Sequence, residues 1–123
     1  MRKESLITGE YYHIYNRGVD KRDIFGDMLD IERFKESIKQ FNRVEGVGSL
    51  RDIVKTDPKG LEKEQIVQIV ALTLNPNHFH FLLKQTVDGG IAKFMQKLLA
   101  GYTKYFNDKN DRSGSLLQGT FKS

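Results

Sequence analysis

Residues 66–83 read Ile-Val-Gln-Ile-Val-Ala-Leu-Thr-Leu-Asn-Pro-Asn-His-Phe-His-Phe-Leu-Leu. Apolar, β-branched and aromatic residues fill both ends of this stretch, a composition typical of strands. The Asn-Pro-Asn sequence between the two runs has the residue types of a tight turn. The stretch therefore predicts two antiparallel strands joined as a β-hairpin, over residues 66–74 and 78–84.

The sequence before the hairpin predicts one strand and one helix. Residues 10–16 are rich in aromatic and β-branched residues and end at an Arg-Gly pair, as a strand entering a turn would. Asp27 is a suitable N-cap for an amphipathic helix that ends near Gly46. Residues 46–64 contain glycines, a proline and scattered charges, which predicts a long and mobile connecting loop. The apolar positions of the helix recur every three or four residues, at Ile31, Phe34, Ile38 and Phe41.

The sequence after the hairpin predicts a second helix and the start of one more strand. The helix follows Gly89-Gly90, and residues 107–114 form a polar turn after it. Residues 115–122 then read as a strand. The resulting order β-α-β-β-α-β is that of ferredoxin-like α+β folds, in which helices pack on one face of an antiparallel sheet. The apolar stripe of the second helix comprises Ile91, Phe94, Met95, Leu98, Leu99, Tyr102, Tyr105 and Phe106.

Composition excludes several classes of protein. A chain of 123 residues and 14.2 kDa forms a single domain over residues 1–123. The absence of cysteine excludes disulfides, thiolate zinc sites and cysteine nucleophiles. No apolar run approaches the roughly 18 residues of a membrane span, and the N-terminus lacks the apolar core of a secretory signal. We therefore expect a cytoplasmic protein with no membrane partner.

The net charge is concentrated near the C-terminus. The chain carries +4, and residues 91–123 hold six basic and only two acidic residues, whereas the preceding residues are balanced. A basic segment on an otherwise neutral domain suggests a polyanionic partner with salt-sensitive affinity. Charge alone is equally consistent with a solvated surface.

The strongest chemical signal is His78-Phe79-His80. On a strand, alternation places both imidazoles on one face, with Cα atoms about 6.6 Å apart. Two histidines on one face are either hydrogen-bonded surface residues or ligands of a divalent metal ion, which needs further ligands. His13, Asp20 and Asp23 are possible third ligands, and the sequence does not decide among them.

Four segments resemble HUH single-tyrosine transposases, in particular the REP-associated tyrosine transposases and the insertion-sequence-200-like domain. Residues 75–83 resemble the family's Met-Pro-Asn-His-hydrophobic-His-hydrophobic-Leu-Leu motif, with Asn75 in place of Met. Residues 12–18 resemble its first strand, and residues 102–107 its second helix. Residues 112–123 resemble its Arg-x-Gly-x-Leu-Trp-Gln-Gly-Arg-Phe-Lys-Ser stretch, with Leu117 for Trp and Thr120 for the second Arg.

The resemblance implies cleavage and rejoining of single-stranded DNA. In the family, the two histidines and a third polar side chain hold Mg²⁺ or Mn²⁺, which polarises the scissile phosphate. A tyrosine hydroxyl attacks the phosphorus and forms a 5′-phosphotyrosine link. The resemblance also implies binding of hairpin DNA with single-stranded flanks and assembly as a homodimer.

The family's nucleophile has no counterpart in the four matching segments. The resemblance places it on a helix after the Gln-Gly-x-Phe-Lys-Ser stretch, which here is beyond Ser123. We therefore expect a C-terminally truncated transposase that retains the metal strand. Tyr102 and Tyr105 are fallback nucleophiles, although they lie on the stripe predicted to be buried, where an aromatic residue usually packs.

Basic and amide side chains near the two ends of the chain are candidate DNA contacts. Arginine and lysine would position phosphates, whereas asparagine and glutamine could read unstacked base edges. Each is equally consistent with a solvated surface position. The candidates are Asn16, Arg17, Lys21, Arg22, Lys104, Arg112, Gln118 and Lys122.

Other functions remain open alternatives to a transposase. A non-catalytic module could bind single-stranded nucleic acid on an aromatic sheet, and it would differ from a transposase in metal dependence rather than in affinity. A phosphoesterase with paired histidines would need two His-x-Ser/Thr motifs, whereas this chain has one histidine pair in which Phe follows each histidine. A purely structural interaction protein would leave the histidine pair and the basic segment without a role.

Overall fold

The computed structural model describes residues 5–43 and 65–123. Its elements are β1 (Tyr11–Arg17), a 3₁₀ turn (Val19–Lys21), α1 (Met28–Phe41), β2 (Val67–Asn75), β3 (His78–Gln85) and α2 (Gly90–Asn110). This order confirms the predicted α+β class and the hairpin. The loop predicted over 46–64 lies outside the described residues.

The three strands form one antiparallel sheet in the order β1-β3-β2. Both β1 and β2 pair antiparallel with β3, so they run parallel to each other on its two sides. This is the split βαβ arrangement of ferredoxin-like folds, with α1 as the crossover helix. A bulge between Ile69 and Ala71 interrupts the pairing of β2 with β3. The hairpin turn consists of two residues, Pro76 and Asn77.

The strand predicted over residues 115–122 is only partly formed. Two isolated antiparallel bridges, Tyr15 to Lys122 and Gly18 to Leu117, hold this segment along the free edge of β1. Between them, Gly119 adopts φ +66, a left-handed conformation that turns the chain out of the strand direction. The prediction of a regular last strand is therefore wrong, although the segment occupies the edge position beside β1.

Both helices pack on the same face of the sheet. Alternate residues of β3 point to this face and are fully buried, and Phe34 of α1 packs against Phe79 and Phe81 at ring distances of 5.6 and 6.3 Å. Burial of these aromatic rings supplies the main hydrophobic stabilisation. The sheet core is completed by Ile14, Leu83, Ile91, Phe94, Met95, Leu98 and Tyr102.

Polar side chains determine where α1 begins and ends. The Asp27 carboxylate accepts a hydrogen bond from the Asp30 N–H at 3.0 Å, which confirms the predicted N-cap. The helix ends at Phe41 and not near Gly46 as predicted. The next residue, Asn42, is buried and accepts from the N–H of Ile66 and of Val67 at 2.9 and 3.0 Å. These hydrogen bonds connect the C-terminal end of α1 to the start of β2. In the described parts of the chain, no helix has the length and apolar character needed to span a membrane.

Candidate metal centre and nucleic-acid surface

The face of the sheet away from the helices carries the predicted site. The register places His80 opposite Tyr15, and His78 opposite Arg17. Because side chains alternate along a strand, these four point to the same side. Within residues 5–43 and 65–123, no helix covers this side, which we call the open face. Its remaining positions on β1 and β3 are Tyr11, His13, Leu82 and Lys84.

His78 and His80 project from neighbouring positions of the open face, as the sequence predicted. Their ring centroids are 5.0 Å apart and their planes meet at 87°. At this separation two imidazoles can reach one ion with metal–nitrogen distances of about 2.0–2.1 Å. Phe79, between them, is fully buried under the helices and fixes the strand that presents both rings.

Each of these histidines uses Nδ1 for a hydrogen bond inside the protein. Nδ1 of His78 lies 2.8 Å from Oδ1 of Asn77, and Nδ1 of His80 lies 2.8 Å from Nε2 of His13. Burial, together with the neighbouring His13 and His78, lowers the pKa of His80 below its ordinary value. A lowered pKa favours the neutral imidazole, which is the form that binds metals. The Nε2 atoms of His78 and His80 have no hydrogen-bond partner among the described residues.

The candidates for a third metal ligand, from the sequence, are His13, Asp20 and Asp23. Among the described residues, no group of three His, Asp or Glu side chains is arranged to hold a metal ion. His13 is the third histidine on the open face, but its Nε2 is directed at His80. Asp20 and Asp23 are exposed in the loop that follows β1. The described residues thus bring together two imidazoles, those of His78 and His80, as candidate metal ligands.

A cavity of about 390 Å³ opens directly beside the two histidines. Its volume lies within the range of pockets that bind small ligands. The wall away from the histidines is formed by the end of β1 and by the C-terminal segment that bridges to it. The lining residues are Tyr15, Asn16, Arg17, His78, His80, Gln118 and Lys122.

Four of the predicted DNA contacts therefore meet at the histidines. Arg17 and Gln118 have exposed side chains, and Gln118 is fixed through its N–H, which donates to the Arg17 carbonyl at 2.9 Å. The ammonium of Lys122 donates to the Thr120 carbonyl at 2.9 Å. Asn16 is buried and its amide is used inside the protein.

The Asn16 amide fixes the C-terminal segment. Its Nδ2 donates to the Gly119 carbonyl at 3.1 Å, and its Oδ1 accepts from the Arg17 N–H at 2.8 Å. Because Gly119 is the residue at which the segment turns, this amide holds one wall of the cavity in place.

The other four predicted contacts lie away from the cavity lining. The guanidinium of Arg22 lies 5.7 Å from the ring centroid of Phe106 on α2, and Lys104 pairs with Asp108 on the same helix at 3.5 Å. The Arg112 guanidinium donates to Asn107 and to the Ser115 carbonyl, and so closes the turn after α2. Lys21 is exposed in the loop after β1, and its carbonyl accepts from Asn77 at 3.3 Å.

The fallback nucleophiles lie on the helix side of the sheet. Tyr102 is buried, and its hydroxyl donates to the Ile24 carbonyl. The Tyr105 hydroxyl donates to the Asp30 carboxylate at 2.8 Å. Burial raises the pKa of both phenols, and for Tyr105 the hydrogen bond to Asp30 raises it further. Neither hydroxyl reaches the open face.

The structure adds one residue to the predicted site, Tyr15, and defines the contact of another, His13, which the sequence offered as a third ligand. Tyr15 lines the cavity, with ring centroids 4.7 Å from His13 and 5.8 Å from His80. His13 bonds directly to His80. The signal was available, because positions 13, 15 and 17 alternate on β1 in the same way as 78 and 80 on β3.

A comparison with known protein families found a match over most of the chain. A family model described as "Transposase IS200 like" matches residues 7–121, which include the open face, both helices and the C-terminal segment. A search of curated proteins found no match. Because the family model covers nearly the whole described chain, the chain belongs to the IS200-like transposase family.

Proposed function

We propose that this chain is the metal- and DNA-binding domain of a transposase that cleaves and rejoins single-stranded DNA next to a hairpin. Membership of the IS200-like family supports a role in DNA transposition. The observation that carries the finer proposal is the pair His78 and His80, whose Nε2 atoms have no partner within the described residues and lie beside the cavity.

The charge of the open face supports a nucleic-acid ligand. The strand positions of β1, β2 and β3 that point to this face include no Asp or Glu, although the chain holds 16 acidic residues. Arg17 and Lys84 provide positive charge at its two ends. A face with cations and no carboxylates favours a polyanion by electrostatic attraction.

The donor set fits a divalent cation. His78 and His80 would hold Mg²⁺ or Mn²⁺ through Nε2, and when bound the ion would polarise a phosphodiester oxygen. Imidazole is a softer ligand than Mg²⁺ prefers, so we expect Mn²⁺ to bind more tightly. Two protein ligands leave further coordination positions for phosphate oxygens and water.

The cavity suits one unstacked nucleotide better than a duplex. Tyr15 offers an aromatic face for a base, Arg17 offers a charge-assisted contact to phosphate, and Gln118 offers a donor and an acceptor for a base edge. We propose that Asn16 contributes by holding the Gly119 turn, and that Lys122 borders the same strand of DNA.

In the proposed reaction a tyrosine hydroxyl attacks the phosphorus. The new bond from the tyrosine oxygen to phosphorus forms as the bond to the 3′ oxygen breaks, and the 3′ oxygen takes up a proton in place of the one that tyrosine loses. We propose that this tyrosine lies beyond Ser123. The environments of Tyr102 and Tyr105 support this, because both hydroxyls are hydrogen-bonded on the helix side.

A denaturing gel tests the location of the nucleophile. The purified chain is incubated with Mn²⁺ and a hairpin DNA that carries a single-stranded 5′ flank. We expect binding, measured by fluorescence anisotropy, without a covalent adduct. A covalent adduct would place the nucleophile within this chain and overturn that part of the proposal, and its loss in Tyr15→Phe, Tyr102→Phe or Tyr105→Phe would identify the residue.

Metal dependence separates this proposal from a non-catalytic single-strand-binding module. We expect Mn²⁺ to strengthen DNA binding by the unmodified chain and to have no such effect in His78→Ala. Equal binding with Mn²⁺ and with a chelator, in both proteins, would favour the non-catalytic module.

We also expect a homodimer, which sedimentation velocity would detect at micromolar concentration.

A further inference from the structure

We propose that His13 and Asn77 are positioning residues, which hold His80 and His78 with the proton on Nδ1 and thereby direct both Nε2 lone pairs to the cation. The proposal rests on the proposed metal function of the histidine pair. In this proposal His13 does not bind the cation itself but accepts a hydrogen bond from the proposed ligand His80.

Asn77 fixes the proton of His78. The Asn77 Nδ2 donates to the Lys21 carbonyl at 3.3 Å, so its Oδ1 is the atom that faces His78 at 2.8 Å. An amide oxygen can only accept, and the hydrogen bond therefore requires the proton on Nδ1 of His78. The Nε2 of the neutral ring then carries a free lone pair.

The backbone holds Asn77 in this orientation. Its carbonyl accepts from the Gly18 N–H at 2.9 Å, and the preceding Pro76 carbonyl accepts from the Ile24 and Phe25 N–H groups at 2.7 and 3.1 Å. The hairpin turn is thus anchored to the loop that follows β1. Anchoring of the turn limits the positions that the Asn77 side chain can adopt, and so supports a fixed partner for His78.

His13 can fix the proton of His80 in the same way. The nitrogen atoms are 2.8 Å apart, and the two ring planes differ by only 7°. An imidazole lone pair lies in the plane of its ring, and the nitrogen–nitrogen distance is that of a hydrogen bond. If His80 donates from Nδ1, its Nε2 is free. If His13 donates instead, neutral His80 keeps its proton on Nε2 and cannot bind a metal through that atom.

Cation binding therefore selects one of two proton arrangements in the His13–His80 pair. A group that accepts from the second nitrogen of a metal-bound histidine also orients the ring and increases its basicity. Loss of such a partner typically weakens metal affinity by about 10–100-fold. His13 and Asn77 would provide this support from two separate elements, β1 and the hairpin turn.

The first test measures Mn²⁺ affinity by the electron paramagnetic resonance signal of the free ion. We expect His13→Phe and Asn77→Ala each to weaken binding by about 10–100-fold. His13→Gln supplies an amide oxygen as an alternative acceptor and is expected to restore part of the affinity. Tyr11→Phe, on the same face of β1 but away from His80, is the matched control and should bind like the unmodified chain.

The second test does not involve metal. Long-range nitrogen–proton NMR spectra of the metal-free chain, at a pH where imidazoles are neutral, report which ring nitrogen carries the proton. We expect His78 and His80 to be protonated on Nδ1, and His80 to lose this preference in His13→Phe. A predominantly Nε2-protonated His78, or a His80 tautomer that does not change in His13→Phe, would overturn the proposal.

The two failures are distinguishable. If the unmodified chain shows the Nδ1 tautomers but binds no Mn²⁺, the proposed metal function fails while the hydrogen bonds stand. If the chain binds Mn²⁺ and neither His13→Phe nor Asn77→Ala weakens binding, the positioning role is refuted. Circular dichroism spectra of each variant confirm folding, and NMR of the unmodified chain keeps the test valid if His13→Phe does not fold.

Discussion

In the described part of the chain, polar clusters lie on both sides of the sheet, and they differ in whether polar atoms are left without a partner inside the protein. Between α1 and α2, the buried Asp30 carboxylate accepts from Lys109 and Tyr105 at 2.8 Å and from the Gly26 N–H at 2.7 Å. On the open face, His78 and His80 each use only Nδ1 within the protein. The hydrogen bonds of the cluster between the helices are all made within the protein and stabilise the fold. The cluster on the open face leaves the Nε2 atoms of His78 and His80 for a ligand.

The pKa shifts of the ionisable groups also distinguish the two clusters. Burial would raise the pKa of Asp30, but hydrogen bonds from Lys109, Gly26 and Tyr105 outweigh it and lower the pKa below its ordinary value. Hydrogen bonds to Asp27 and Asp30 raise the pKa of Lys109. The charged forms of Asp30 and Lys109 are thus stabilised between the helices. The lowered pKa of His80 instead favours the neutral form of that imidazole on the open face.

The most damaging substitution should be Asp30→Asn in the helix cluster. It weakens three hydrogen bonds to a buried carboxylate, and we expect a loss of about 2–4 kcal/mol in the free energy of unfolding. Urea denaturation measures it. Asp27→Asn, which removes an exposed carboxylate beside the same Lys109, should cost less. Equal losses of stability in both variants would show that the buried Asp30 carboxylate contributes no more than the exposed Asp27 carboxylate.

His80→Ala should show the opposite profile. It removes one of two proposed ligands, so Mn²⁺ affinity should fall more than about 100-fold. That is the upper end of the effect expected for a residue that acts through a ligand. Because the ring is half-buried and on the open face, we expect the free energy of unfolding to change by less than about 1 kcal/mol. A large loss of stability with unchanged Mn²⁺ affinity would reverse the assignment of the two clusters.

The sequence sufficed for features that depend on local pattern. The Asn-Pro-Asn turn, the Asp27 cap and the shared face of His78 and His80 follow from residue type and alternation, and the structure contains all three. Features that depend on distant contacts were missed. Lys109 reads as part of a polar turn, yet it pairs with Asp30, which lies 79 positions earlier.

The same limit explains the mixed outcome for the predicted DNA contacts. Composition marks Arg17 and Lys104 equally as basic residues near polar segments. Only pairing of β1 with β3 shows that Arg17 lies opposite His78, and only packing of α2 places Lys104 on the other side. The role of His13 was open for the same reason, since its partner His80 is 67 positions away.

Acid titration separates the clusters by pH. His80 binds its proton more weakly in the folded chain, so its contribution to stability is lost as the pH falls below its ordinary value of about 6.5. Asp27 and Asp30 have lowered pKa values, so their contribution persists above about 3.9 and is lost as the pH falls through their folded values. Urea midpoints across this range should therefore fall in two steps.

Variants identify the origin of each step. Asp30→Asn should reduce the step at low pH and retain the one near neutrality, whereas His80→Gln should do the reverse. A single step that persists in both variants would show that neither cluster controls the acid response.

The smallest effect expected is on the salt dependence of DNA binding. Each phosphate contact to a single strand contributes about 0.7 to the slope of log affinity against log salt concentration. Arg17→Ala should therefore lower the magnitude of that slope by about 0.7, measured by anisotropy with the hairpin DNA. Lys104→Ala is the matched control, because it removes one positive charge from the helix side, where Asp108 already accompanies it. If both variants change the slope equally, DNA contacts both sides of the molecule, and the division between a stabilising side and a binding side fails. If only Arg17→Ala does, position relative to the sheet, and not charge, determines which basic residues bind DNA.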